Sequence, residues 1–235
     1  MSIKKHIPNF LTCCNLLCGC IGIYYIQRGS FIGAAYLIYA ALIFDFLDGF
    51  VARLLHVSSP IGKELDSLAD MVTFGVLPSF ILFKLIGETE LPSYIAFFAF
   101  LIAIFSALRL AKFNIDDRQQ TDFIGLPTPA NALFISSLFF LKGTTLEVLT
   151  HAWVLVAIAF IFSFLLVSPL RMFSLKVKSG GWKGNEMRII FLLISILCLI
   201  FFKQAGIPLI IFAYLLLSLI SQRNHRGNEA GSETF

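Results

Sequence analysis

The chain has 235 residues, of which 58% are hydrophobic and 14% charged, with 26 Phe and a formal net charge of +4. That excludes an ordinary soluble domain, which needs more polar surface, and a disordered chain, which cannot carry so much apolar matter. It is the composition of an integral membrane protein, in which about twenty consecutive apolar residues cross the bilayer as a helix.

About eight apolar runs approach that length, at roughly 9–27, 31–54, 63–86, 92–113, 127–142, 146–168, 188–203 and 206–221. They predict an all-α fold, a polytopic membrane helical bundle of about eight transmembrane helices spanning 1–222. A polar tail at 223–235 is expected to be disordered. The first run has no small-residue cleavage site, so no cleavable signal peptide is expected. With the N-terminus inside, 14 of the 18 Lys and Arg, including Arg53, Lys63, Arg109, Lys112 and Arg171, fall on one side. Only Arg28, Lys84, Lys142 and Lys203 fall on the other. The bias puts both termini in the cytoplasm, and the expected location is the cell inner (cytoplasmic) membrane. The positive charge is then directed at anionic lipid head groups and not at nucleic acid.

A short basic lead precedes Pro8, which opens the first helix where its missing N–H costs nothing. Asn9 and Thr12 follow on one helical face; Asn9 reads either as a cap or as a ligand contact. Cys13, Cys14, Cys18, Cys20 and Cys198 lack metal-ligand spacing and read as small apolar residues of reduced membrane helices.

The stretch 45–70, DFLDGFVARLLHVSSPIGKELDSLAD, carries the chemistry. Asp45, Asp48, Asp66 and Asp70 lie in or beside apolar runs, where an unpaired charge costs at least ~2.5–3.5 kcal/mol. Residues three or four apart share a helix face, so Asp45 with Asp48, and Asp66 with Asp70, form two acidic faces able to meet around a cation. Hard oxygen ligands suit Mg²⁺, Mn²⁺ or Ca²⁺. Gly49 lets a ligand approach the backbone, Ala52 keeps the neighbourhood small, and Arg53 carries a donor fork matched to phosphate oxygens. Ser58, Ser59, Pro60 and Gly62 predict that one helix ends and the next begins there, with Ser59 as a cap or a phosphate donor.

Asp45, Asp48, Gly49, Ala52, Arg53, Gly62, Asp66 and Asp70 reproduce the DxxDGxxAR…GxxxDxxxD signature, and on it the chain resembles the CDP-alcohol phosphotransferase family. PNFLTCCN at 8–15 looks like the family's cytidine-binding element, and SALRLAKFN with FIGLPTPANA is similar to segments of its serine-using members. Lys112 stands where those members usually have Arg, which keeps the charge and loses the fork.

The resemblance implies transfer of a phosphatidyl group from CDP-diacylglycerol to L-serine, with CMP leaving. It implies two divalent ions, Mg or Mn with Ca as an inhibitory occupant, held by Asp45, Asp48, Asp66 and Asp70, with Asp70 also the general base. Asn9, Thr12, Gly49, Ala52, Arg53, Ser59 and Gly62 would bind CDP-diacylglycerol at the cytoplasmic face. Arg109, Lys112 and Asn114 would bind the acceptor. Glycerol phosphate, inositol phosphate or choline remain alternative acceptors. An ion-coupled transporter could use the same acids, but it predicts broken helices in matching repeats, which are not found. The loop 171–188 reads as an interface-hugging cytoplasmic segment, and the last two spans as scaffold or dimer surface of an expected homodimer.

Overall fold

The computed structural model describes residues 6–57, 59–115, 123–172 and 185–232, the last ten without their side chains. Ser58, most of the loop 171–188 and several basic residues used for orientation, Lys4, Lys5, Arg118, Lys176, Lys178 and Lys183, lie outside the described residues. So do the side chains of the tail, whose helical backbone runs to Ser232.

Helix α1, His6–Gln27, holds Pro8 in its first turn. Gly29, at φ +79, reverses the chain into α2, Phe31–Leu54, whose N-cap Ser30 accepts from Gly33 N–H at 3.3 Å. Helix α3, Pro60–Asp70, starts where the sequence predicts: Ser59 caps it by accepting from Gly62 N–H at 3.0 Å, and Pro60 takes the first position. A π-helical turn, Met71–Val76, then leads without interruption into α4, Leu77–Gly87. There Leu77 N–H reaches back five residues to Val72 O. The widening lies directly before Pro78, which has no N–H to donate and whose ring crowds the preceding turn.

Beyond a 3₁₀ stretch, Ser93–Phe100, come α5, Leu101–Ile115, α6, Thr128–Ser137, and α7, Ala152–Val167. Helices α8, Glu186–Phe202, and α9, Ile207–Ser232, pack together across a break at Lys203–Gly206. Two short segments, β1 (Phe123–Ile124) and β2 (Arg171–Met172), form one antiparallel pair.

The architecture is the expected all-helical membrane bundle, but the count of eight spans is not confirmed. Five stretches among the described residues are long and apolar enough to cross: His6–Gln27, Phe31–Leu54, Pro60–Gly87, Ser93–Ile115 and Glu186–Gln222. The last of these contains both the seventh and the eighth expected spans. The apolar helices Thr128–Leu141 and Ala152–Val167 fall short. At 1.5 Å per residue the latter reaches only ~24 Å against ~30 Å of hydrocarbon.

Between helices in lipid there is no hydrophobic drive, so close backbone approach decides packing. On α1 the buried residues Pro8, Thr12, Asn15, Gly19, Gly22 and Ile26 recur at three- and four-residue steps, making one face. That face meets α3, the π turn and α4. A Cβ on Gly19 would stand 3.0 Å from the Thr73 backbone, and one on Gly22 would run into the Leu77 side chain. Phe74, Leu77, Ile81, Leu82 and Ile86 fill the core on the other side of this seam.

Gly22→Leu is therefore expected to lower the melting temperature in detergent by several degrees, since overpacking costs ~1–3 kcal/mol. Gly87→Leu, with nothing within 4 Å of its Cβ position, should leave it nearly unchanged. Scanning fluorimetry of both variants checks the seam.

Candidate active site

Helices α2 and α3 bring three acids together. One carboxylate oxygen each from Asp45, Asp48 and Asp66 lies within 4.8 Å of the others. Oxygens sharing one ion at 2.0–2.6 Å stand at most about 4–5 Å apart, so the trio has the span of a hard-cation site. Asp48 is buried, Asp45 and Asp66 are half-buried, and Asp66 Oδ1 is enclosed without a hydrogen-bond donor. Among the described residues no basic side chain forms a salt bridge to any of the three. A divalent cation fits these residues: it supplies both the charge and the partner they lack.

The row on α1 holds two of the acids. Thr12 Oγ1 lies 2.7 Å from Asp48 Oδ2 and 3.1 Å from Pro8 O. Its single proton belongs to the carboxylate, the closer and charged acceptor. One turn on, Asn15 Nδ2 donates to Asp70 Oδ1 at 3.1 Å, while Asn15 O accepts from Thr73 Oγ1 of the π turn at 3.1 Å. Asp70, expected among the ligands, ends α3 as a buried residue outside the trio.

A cavity of about 220 Å³ adjoins the trio, and its wall includes Asn9, Thr12, Asp48, Gly49, Ala52, Ser59, Gly62, Lys63 and Asp66. All residues expected to contact the donor lie on it except Arg53, which is exposed and sits one turn beyond Gly49. Nothing stands within 4 Å of a Cβ on Gly49, so its missing side chain leaves ligand space. At Gly62 a Cβ would come 3.0 Å from both Asn9 Oδ1 and Ser59 Oγ, so this glycine lets those two polar groups converge. Asn9 is inside α1 and does not cap it.

The three expected acceptor residues do not converge. Arg109 is buried and donates from Nη1 to Thr128 Oγ1 at 3.4 Å. Lys112 is exposed. Asn114 latches α5 onto α3: its Nδ2 donates to Ser67 Oγ at 2.9 Å and Glu64 Oε2 at 3.5 Å, and its carbonyl accepts from Lys63 Nζ at 2.9 Å. A second, apolar cavity of about 720 Å³ lies between α2, α6, α8 and α9, with Tyr39, Leu42, Leu133 and Tyr214 on its wall.

Asn15 and Thr128 are absent from the residues singled out in the sequence. Asn15 was legible there, because Asn9, Thr12 and Asn15 form a polar row with a three-residue step in an apolar helix. Thr128 was not, because its partner lies 19 residues away on another helix.

A helical membrane bundle that gathers carboxylates beside a polar cleft at the end of its helices defines a membrane protein with a candidate divalent-metal site. The family model described as CDP-alcohol phosphatidyltransferase matches residues 5–167, and the chain belongs to that family. The chain is 36% identical over 194 residues to the CDP-diacylglycerol–serine O-phosphatidyltransferase of Helicobacter pylori (strain ATCC 700392 / 26695), covering 79% of each chain. To the enzyme of the same name from Bacillus subtilis (strain 168) it is 38% identical over 125 residues, 53% of this chain and 70% of that one. To the archaetidylserine synthase of Methanothermobacter thermautotrophicus it is 33% identical over 158 residues, 65% of each. The family uses divalent metals, and the acidic trio is where this chain could bind them.

Asp66→Asn is expected to abolish Mn²⁺ binding measured by electron paramagnetic resonance of the free ion. Thr12→Val, which frees the Asp48 carboxylate, should weaken it ~10–100-fold, as losses of ligand-orienting contacts do. Unchanged Mn²⁺ affinity in Asp66→Asn would remove the trio as a metal site.

Proposed function

We propose that the protein transfers the phosphatidyl group of CDP-diacylglycerol to the hydroxyl of L-serine and releases CMP. The observation that carries this reading is the meeting of Asp45, Asp48 and Asp66 at a cavity lined by six of the seven signature and cytidine-element residues expected to bind the donor. The substrates are supported by the names of the relatives, which specify CDP-diacylglycerol and serine.

In this reading the cavity receives the cytidine end of the donor through Asn9, Thr12, Ser59 and the open backbone at Gly49, Ala52 and Gly62. Arg53, at the rim, forks onto the pyrophosphate. Asp45, Asp48 and Asp66, with Asp70 as a fourth ligand, would hold two Mg²⁺ or Mn²⁺ ions, which when bound offset the pyrophosphate charge and that developing on the leaving oxygen. Asp70 is held in place by Asn15 and takes the serine hydroxyl proton. As that proton leaves, the serine oxygen bonds to the phosphorus bearing diacylglycerol and the bond from that phosphorus to CMP breaks. Arg109 offers its charge to the serine carboxylate; Lys112 and Asn114 act at the rim. The active-site face is proposed to be cytoplasmic, as are both termini. The homodimer is proposed to pack through α8, none of whose residues is buried in the chain's own core.

Incubation of the purified protein with CDP-diacylglycerol, Mn²⁺ and labelled serine should give a labelled lipid on thin-layer plates with one CMP released per lipid. Labelling only from glycerol phosphate, inositol phosphate or choline would overturn the acceptor. Asp70→Asn should lower kcat in this assay ~10²–10⁴-fold, the contribution of a positioned base.

The role of Arg53 has its own test. Arg53→Lys retains charge and loses the planar fork, so the KM for CDP-diacylglycerol should rise about tenfold while that for serine stays the same. Equal donor kinetics in variant and wild type would leave Arg53 a surface residue.

A further inference from the structure

We infer that Asn131 is a specificity-determining residue of the acceptor site, its amide receiving the charged end of a zwitterionic amino alcohol beside Arg109. This rests on the proposed transfer to serine and deepens it.

Asn131 lies on α6, is fully buried, and has no hydrogen-bond partner at either Oδ1 or Nδ2. A buried unsatisfied group costs ~1–3 kcal/mol, so an amide with neither end satisfied is a poor packing element. Nor is it isolated. Thr128, which accepts from Arg109, stands three residues earlier on the same helix, and such neighbours have their Cβ atoms ~5–6 Å apart. Arg109 Nε is likewise buried without a partner, as is the hydroxyl of Ser106, three residues before it on α5. Both α5 and α6 pack on the π turn that follows Asp70.

Helix α6 also packs on α2, the helix that carries Asp45 and Asp48.

Their chemistry is that of an amino acid's charged end. Arg109 Nε–H and Asn131 Nδ2–H₂ can donate to a carboxylate, and Asn131 Oδ1 and Ser106 Oγ can accept from an ammonium. A phosphorylated polyol presents about two negative charges and would find only one buried cation among the described residues, with Asp70 opposing it. A zwitterion brings no net charge into the bundle and satisfies donors and acceptors together. The set therefore selects serine's α-amino-acid end and leaves its hydroxyl free for Asp70.

The test is steady-state kinetics of Asn131→Leu, which keeps the branched outline and removes the polar atoms, and Asn131→Ala, on the full-length enzyme with Mn²⁺ and CDP-diacylglycerol. Serine KM is expected to rise ~10–100-fold, the worth of a lost charge-assisted hydrogen bond, with the donor KM within twofold of wild type. Asn131→Leu should melt no lower than wild type, and its preference for serine over ethanolamine, which lacks the carboxylate, should narrow. A stable Asn131→Leu enzyme with wild-type serine KM overturns the inference. So does a fall in melting temperature accompanied by equal losses for both substrates, which marks a packing role. A wild-type enzyme that makes no serine lipid overturns the proposed function itself, a result distinct from both.

Discussion

Four carboxylates held inside an apolar helical bundle are the constraint on which the rest of this structure depends. Left alone each would destabilise the membrane-embedded fold by several kcal/mol, so each needs a partner. Asp48 has the Thr12 hydroxyl and Asp70 the Asn15 amide. Asp45 and Asp66 share with Asp48 the space of a cation. Three different compensations serve four positions on two helices, and they divide the acids into a converging trio and a separate fourth.

Helix α1 is the strut that makes this division possible. Its buried face is polar at the acid end, with Thr12 and Asn15, and empty of side chains further along, at Gly19 and Gly22. The two halves are mechanically linked: Gly19 admits Thr73 against α1, and Thr73 ties the π turn to the Asn15 carbonyl, whose side chain holds Asp70. Close packing in one layer thus fixes an active-site contact in the next. The same π turn re-aims the chain between Asp70 and Pro78, an instance of the association of such turns with functional sites.

The basic groups are divided by depth in the same way. Arg109 reaches the interior and anchors on Thr128, whereas Lys63 and Asn114 stitch α3 to α5 at the exposed end and Lys112 faces outward. One short segment of α5 therefore contributes an interior cation and a surface latch. Helical geometry explains it, since residues five apart, such as Arg109 and Asn114, point in different directions about the axis.

The membrane class, the helix break at Ser59–Gly62 and the acidic signature were legible in the sequence, because each depends on local rules: apolar run length, cap and proline chemistry, and fixed spacing on a helix face. Asn15 was within reach by the same periodicity. The shortness of α6 and α7 was not, since where a helix ends depends on its packing as well as on its hydropathy. Nor was it legible that Asp70 stands apart from the trio, that Arg53 lies off the cavity wall, or that Arg109 leaves Lys112 and Asn114 for Thr128. Those outcomes rest on which face of α1, α5 and α6 meets the acids, and contacts between helices distant in sequence are decided only when the whole bundle closes.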